Sequence, residues 1–468
     1  MAQRRRSEYA TRDLTQGSIP KNLWFLGWPQ IVSGAAHAID LAADLFWAGF
    51  LGSRSVAAVG VAQSWVQFFN TARMGLDTSA RAMVSRAVGA DDLPLANHIA
   101  RQAVFINVTV SVIVMGFGVL LSDWLLRILG VTQAVVDDGT AYQQWRFLGF
   151  FWFAMNQLGG NLLQAGGDSL TPMKAQLVTR GLHLVLSPIL VFGWLGLPAL
   201  GVSGTAIATS IAQIVGTYMN FQALYLGTSK LHLTLENFTI DWPVVIQQIK
   251  IGTPAAIAGA ERSAAQVILV GLAAPFGATG LAVYSITQRI QMFGGFGSQG
   301  LAMAGGVIVG QSLGAGQPAR AKATIWWALA LVAGVQMVIC SLMFLFPDAV
   351  IFLFSREADV IEMGIPWLRI EAFGYMLFAA GNTLAQCLNT AGVQQPVAIL
   401  LTGSAVTWDV AGQSFAIPGL WNIGILGIPI AIMVAAGMRL GILFGYFLWG
   451  PWWKKEVLVR PAAYVGAH

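Results

Sequence analysis

Long apolar runs, each broken by glycine, proline or a few charges, dominate this chain. About twelve of them are long enough to cross a bilayer as helices: roughly 23–50, 56–85, 98–121, 140–165, 172–195, 201–227, 247–275, 280–311, 322–346, 364–390, 396–416 and 423–449. None shows the ten-residue alternation of an outer-membrane barrel, so the pattern predicts an all-α integral membrane protein of twelve transmembrane helices. Composition agrees: 56% of the 468 residues are hydrophobic and 10% are charged, against about 25% charged in soluble domains. The first run is too long for a signal-peptide core and lacks a small-residue cleavage site, so it is expected to stay as a span.

The runs repeat. Pro29 and Pro254 set an offset of 225 that pairs Gly34 with Gly259, Gly75 with Gly300, Gly89 with Gly314, Asp123 with Asp348, Gly149 with Gly374 and Gly167 with Gly392; one residue is then lost, for Pro172 aligns with Pro396. Each copy holds six spans, an even number, so the two enter the membrane the same way up as parallel repeats. The expected layout is a cytoplasmic tail at 1–22, a first lobe at 23–227, a polar connector at 228–246, a second lobe at 247–449 and a tail at 450–468. Two such lobes imply a cavity near the midplane that opens to each side in turn, which suits a transporter.

The net charge of +5 calls for no nucleic acid, because the basic residues are distributed as orientation signals. Arg4, Arg5, Arg6, Arg12 and Lys21 precede the first span. Arg86, Arg101, Lys174, Arg180, Lys230, Lys250, Arg320 and Lys322 flank loops on the same side, with Lys454, Lys455 and Arg460 in the tail. Both termini are therefore expected in the cytoplasm. Cys340 and Cys387 lie inside apolar runs and read as packing residues.

Polar groups inside the spans are the candidate chemistry. In the first span Ser33, His37, Asp40 and Asp44 recur at spacings of four, three and four, one face of a helix. A carboxylate facing lipid costs roughly 2.5–3.5 kcal/mol even on the lenient insertion scale, so this stripe should face other helices or water. The repeat positions of Asp40 and Asp44 are Ala265 and Leu269, which confines the acidic stripe to the first copy. The second span carries Asn70, Arg73, Asp77 and Arg81, either a substrate or Asp44 partner or an Arg–Asp–Arg ladder that pairs internally and snorkels. His183 on the fifth span suits either proton transfer or a helix contact. The amides Asn156, Gln157, Asn161 and Gln164 on the fourth span, with Asn382 and Gln386 in the copy, suit a pore lining or interhelical glue. Glu261 and Arg262 are adjacent on the seventh span and point to different faces; Glu371 and Asp409 are isolated acids. No HExxH, Walker loop or cysteine-rich metal spacing is present, and no enzymatic activity is expected.

Several stretches resemble the multidrug and toxic compound extrusion (MATE) transporters: DLFWAG at Asp44–Gly49 followed by LGSRSVAAVG, the paired loops SRAVGADD and GQSLGAGQPARA, GGDSLTP after the fourth span and LGVSGTAIAT at the sixth. The resemblance covers essentially the whole chain. It implies a V-shaped pair of six-helix lobes in the cell inner membrane, exporting amphipathic, often cationic, compounds in exchange for protons or sodium. The coupling acid of the family falls on Asp44, with Asp40 an additional acid of this sequence. DinF-like members, the branch this chain is similar to, place an Asn and then an Asp on the fifth span where His183 and Ser187 stand, and a polar-cluster Thr falls on Thr205. Losing that carboxylate and amide favours H+ over Na+, which wants several hard oxygens. NorM-like members use a Glu on the seventh span near Glu261. The resulting expectation is cation coupling at Asp44, Asp40, His183 and Thr205, substrate contacts from His37, Asn156, Gln157, Asn161, Glu261 and Asn382, no organic cofactor or metal, small organic substrates and membrane lipid as partners, and a monomer.

Overall fold

A computed structural model describes residues 12–50, 53–128, 133–234, 238–393 and 424–458, and every regular element among them is helical. The helices are α1 Ile19–Phe50, α2 Ser53–Gly89, α3 Leu93–Leu120, the short α4 Ser122–Arg127, α5 Gln133–Ala165, α6 Leu170–Phe192, α7 Val202–Tyr225, α8 Trp242–Ala273, α9 Gly277–Gly314, α10 Pro318–Leu345, the short α11 Pro347–Phe352, α12 Ala358–Thr390 and α13 Gly427–Trp449. The expected span 396–416, with Asp409, lies outside the described residues; the other eleven expected spans each coincide with a long helix. Five of the described stretches are long and apolar enough to cross a membrane by length and composition alone: Leu93–Leu120, Leu170–Phe192, Leu269–Gly314, Pro318–Leu345 and Gly424–Trp449. Several of the remaining long helices carry the polar stripes.

The 225-residue offset holds at the level of helix ends. α3, α4 and α5 start and stop at the positions that, shifted by 225, bound α10, α11 and α12. The turns repeat too. After α2, Asp91 (φ 59) occupies the left-handed region, and Gly316 (φ 69) does so after α9. The Asp92 amide donates to the Ala87 carbonyl at 3.1 Å, and Gln317 donates to Ser312 at 2.8 Å. After α5 and α12, Gly167 (φ 100) and Gly392 (φ 85) reverse the chain in the same way. The motif acids here are caps: Asp92 accepts from the Leu95 amide at 3.0 Å, and Asp168 accepts from the amides of Leu170 and Thr171 at 3.1 and 3.0 Å.

The chain packs as two compact units. The first holds Val32–Gly252 and the second holds Leu14–Ile31 with Thr253–Val457, so the divisions fall inside α1 and α8. In the first unit α5 packs on α2, α3 and α7; in the second α12 packs on α9, α10 and α13. Close approach relies on small residues: a Cβ on Gly204 of α7 would fall 2.7 Å from the Leu190 backbone of α6. In the first unit the connector lies along α3. His98 Nε2 meets Asp241 Oδ2 at 3.0 Å, Gln102 donates to the Thr239 carbonyl at 2.7 Å and accepts from the Asp241 amide at 3.2 Å, and Gln248 donates to the Ile99 carbonyl at 3.0 Å. In the second unit the segment before α1 is bound: Arg320 donates to the carbonyls of Leu14, Gln16 and Gly17 at 2.8–3.1 Å, and Leu14 is fully buried.

Candidate functional site

α1 is one continuous helix from Ile19 to Phe50 with Pro29 inside it. That continuity places Ser33, His37, Asp40 and Asp44 along one face. The side chains of Asp40 and Asp44, and of Glu261 and Arg262 on α8, lie outside the described residues; His37 is exposed. One turn beyond Asp44, the Trp47 ring packs edge-on against Phe192 of α6, centroids 6.1 Å apart, and Phe50 does the same at 6.3 Å. These contacts hold the far end of α1 to the end of α6.

α6 buries His183 and Ser187, one turn apart, and α7, which packs on it, buries Thr205. Thr205 Oγ1 donates to the Val202 carbonyl of its own helix at 2.9 Å, leaving its lone pairs as acceptors. Ser187 Oγ is fully buried and has no hydrogen-bond partner among the described residues. Its position is the one where the resemblance expects a polar cluster.

The amides of α5 divide. Asn156 is fully buried; its Nδ2 donates to Gln213 Oε1 of α7 at 2.7 Å, and it receives Asn220 Nδ2 at Oδ1 (2.7 Å) and at its carbonyl (3.1 Å). Thr217 donates to the Trp152 carbonyl at 2.9 Å, extending the same ladder. Asn156 therefore binds helix to helix. Gln157 is half-buried and accepts from Gln176 at 3.5 Å, the long limit of a hydrogen bond. Asn161 and Asn382 are half-buried.

The stripe on α2 differs from the snorkelling ladder its sequence suggests. Arg73 is 1% exposed, with Asp77 at 6% and Arg81 at 4%. Arg73 Nη1 donates to Asp77 Oδ2 at 2.7 Å and to Asn107 Oδ1 at 3.3 Å, Nη2 donates to Asn70 Oδ1 at 3.2 Å, and Asn107 Nδ2 returns to Asp77 Oδ1 at 3.1 Å. The guanidinium also lies 5.9 Å from the Phe153 ring. An amide from α3 and a ring from α5 close over the pair, which is why it is buried. Asn107 looks in sequence like a stray amide in an apolar run, and nothing local marks its partner. The copy in the second unit uses other chemistry at the corresponding helix pair, with Gln336 of α10 donating to Ser298 Oγ of α9 at 3.1 Å.

Glu371 is a site that sequence left as a lone acid. It is 1% exposed on α12; the Tyr375 hydroxyl lies 2.7 Å from its Oε2 and 2.9 Å from the Thr287 carbonyl of α9. Tyr375 has one hydroxyl hydrogen for these two acceptors, so it can donate to only one of them at a time. At the position equivalent to Asp44, by contrast, Leu269 is buried in an apolar cluster with Tyr284, Trp367 and Ile428.

The MatE family model matches residues 29–189 and 254–411, one segment in each repeat. Among curated relatives, the probable multidrug resistance protein YoeA of Bacillus subtilis is 22% identical over 96% of this chain and 97% of its own length. The probable multidrug resistance protein NorM of Thermotoga maritima is 23% identical over 94% and 95%. The FAD transporter of Shewanella oneidensis is 21% identical over 68% and 71%. Among solved structures, a MOP superfamily transporter from Pyrococcus furiosus, described as having a binding pocket of reverse polarity, superposes with a TM-score of 0.86 at 23% identity over 97% of this chain and all of that one. An outward-facing multidrug resistance MATE transporter gives 0.86 at 23% over 96% and 98%.

Proposed function

This chain belongs to the MatE family of multi-pass membrane transporters, and from that premise we propose that it is a proton-coupled antiporter exporting amphipathic, cationic organic compounds. Asp44, assisted by Asp40, takes a proton from outside, loses its affinity for the cationic substrate and releases it; deprotonation on the cytoplasmic side readies the site for the next substrate. The two six-helix lobes rock to expose it alternately. The observation that carries the reading is the asymmetry of the repeat: two acids one turn apart on α1, against Ala265 and a buried Leu269 at the same places in the second copy. Two negative charges in a low-dielectric bundle repel, so proton and cation compete for them. His183 and Ser187 supply fewer hard oxygens than an Asn–Asp pair, which favours a proton over sodium. The membrane potential adds about 2.3 kcal/mol per charge per 100 mV.

Support also comes from what is already engaged. A flippase for lipid-linked saccharides would need free cations, and Arg73 is spent on Asp77, Asn107 and Asn70. The deciding experiment is efflux of a cationic dye from proteoliposomes under an imposed pH gradient. Wild type is expected to show gradient-driven transport and Asp44→Asn to lose it, with Asp40→Asn weakened. Equal gradient-driven efflux in wild type and both variants rejects the assignment, and efflux that follows a sodium gradient instead replaces the coupling ion.

A further inference from the structure

α1 and α8 occupy equivalent places in the two repeats, and each is divided between units: residues 19–31 of α1 pack in the second unit, and residues 242–252 of α8 pack in the first. The contacts that hold these half-helices are themselves repeats of one another. In the second unit a Cβ on Gly27 would fall 2.8 Å from Leu301 Cδ2, and one on Gly300 would fall 3.0 Å from both the Gly27 carbonyl oxygen and Gln30 Cβ. In the first unit a Cβ on Gly252 would fall 2.8 Å from the Gly75 carbonyl oxygen and 3.2 Å from the Leu76 amide. Shifted by 225, Gly27 becomes Gly252 and Gly75 becomes Gly300. The same glycine pair is thus formed twice, each time between one copy's first helix and the other copy's second. Glycine permits a backbone approach that any side chain would block, which is how helices without a hydrophobic driving force in lipid gain packing energy.

The second unit adds polar and apolar attachments to its borrowed segment. Arg320 binds three carbonyls just ahead of α1, Asn22 donates to the Gln16 carbonyl at 2.9 Å, and Leu14, Leu23 and Leu26 pack with Ala304, Val307, Ile308 and Ala328. In the first unit the connector is tied to α3 through His98, Gln102 and Gln248 immediately before and within the opening of α8.

We propose that the two repeats exchange the opening halves of their first helices: residues 19–31 belong mechanically to the unit built by the second copy, residues 242–252 to the unit built by the first, and each half-helix stays clamped at its glycine crossing throughout the transport cycle. This rests on the transport reading above, because it concerns what moves together while substrate is carried. The mechanical lobes are then Val32–Gly252 and Leu14–Ile31 plus Thr253–Val457 instead of the two sequence repeats.

The test is disulfide locking in the full chain, with Cys340 and Cys387 first replaced by alanine. Gln30→Cys with Gly300→Cys probes one crossing, and Gly75→Cys with Gly252→Cys probes the other. Mild oxidation is expected to crosslink most molecules at each pair, with dye efflux within about twofold of the reduced protein. Crosslinking that stops efflux, with recovery on reduction, overturns the proposal, as does failure of both pairs to crosslink in protein that transports when reduced. Should cysteines at these close contacts prevent folding, hydrogen–deuterium exchange of the unmodified protein decides. Residues 19–31 and 242–252 must remain as protected as α9 and α2 with and without substrate, and deprotection of either segment in one state overturns the exchange. Wild type that moves no dye under any gradient counts against the transport reading alone, and the exchange of segments then stands or falls on crosslinking and protection.

Discussion

Asp91 and Gly316 show how one backbone requirement can be met by two residue types. Both hold the left-handed turn between the second and third helices of their copy, where a side chain costs about 1–2 kcal/mol unless it is the tolerant Asn or Asp. Nothing lies near the missing Cβ of Gly316, so Gly316→Ala should lower stability by about 1 kcal/mol through the backbone alone, and Gly316→Asp by less; thermal unfolding in detergent reads both. Asp168 is a cap, and Asp168→Ala should cost about 1 kcal/mol in the same assay with the substrate profile unchanged. At the buried pair, Arg73→Met should cost about 3–5 kcal/mol because it strands Asp77, while Arg73→Met with Asp77→Leu should regain much of that loss. If the double variant is as unstable as the single one, the pair is not what α2 needs. On the exposed α4, the hydrogen bond from Arg127 holds the Asp123 carboxyl below its usual range. A carboxyl depressed in the folded state contributes stability above its unfolded value and loses it as pH falls through the folded one. Asp123→Asn should therefore flatten a small acid-side loss by giving up the same small contribution at neutral pH, so that wild type and variant converge in acid; thermal unfolding as a function of pH reads both.

At the scale of elements, helix existence and order were legible because apolar runs and their glycine and proline breaks are local. The repeat offset was legible for the same reason, and it carries through to helix ends: α3 to α5 and α10 to α12 agree residue for residue. The polar stripes were legible as stripes but not as to which partners each would find. Asn156 and Gln213 are 57 residues apart, Arg73 and Asn107 are 34, and Thr287 and Tyr375 are 88. A single amide in an apolar run gives no sign of whether it lines a cavity or ties two helices. At this scale Asn220→Leu should loosen α5 from α7, lowering thermal stability by about 1–2 kcal/mol because the buried Asn156 Oδ1 and carbonyl lose their donor while the bond to Gln213 stays, with coupling stoichiometry intact.

For the whole molecule, sequence alone determined an all-helical membrane transporter with twelve spans in two parallel copies and an acidic stripe confined to the first. Those features are written in hydrophobic period, composition and an offset that needs no knowledge of neighbours. Tertiary structure decided which polar groups are already occupied, as at Arg73, Asn156 and Glu371, and where the packing units divide. That division runs through α1 and α8 instead of through the connector. The reason is that covalent continuity follows the repeat, whereas packing energy follows contact, and the glycine contacts at positions 27, 75, 252 and 300 join helices that the chain itself places more than 170 residues apart.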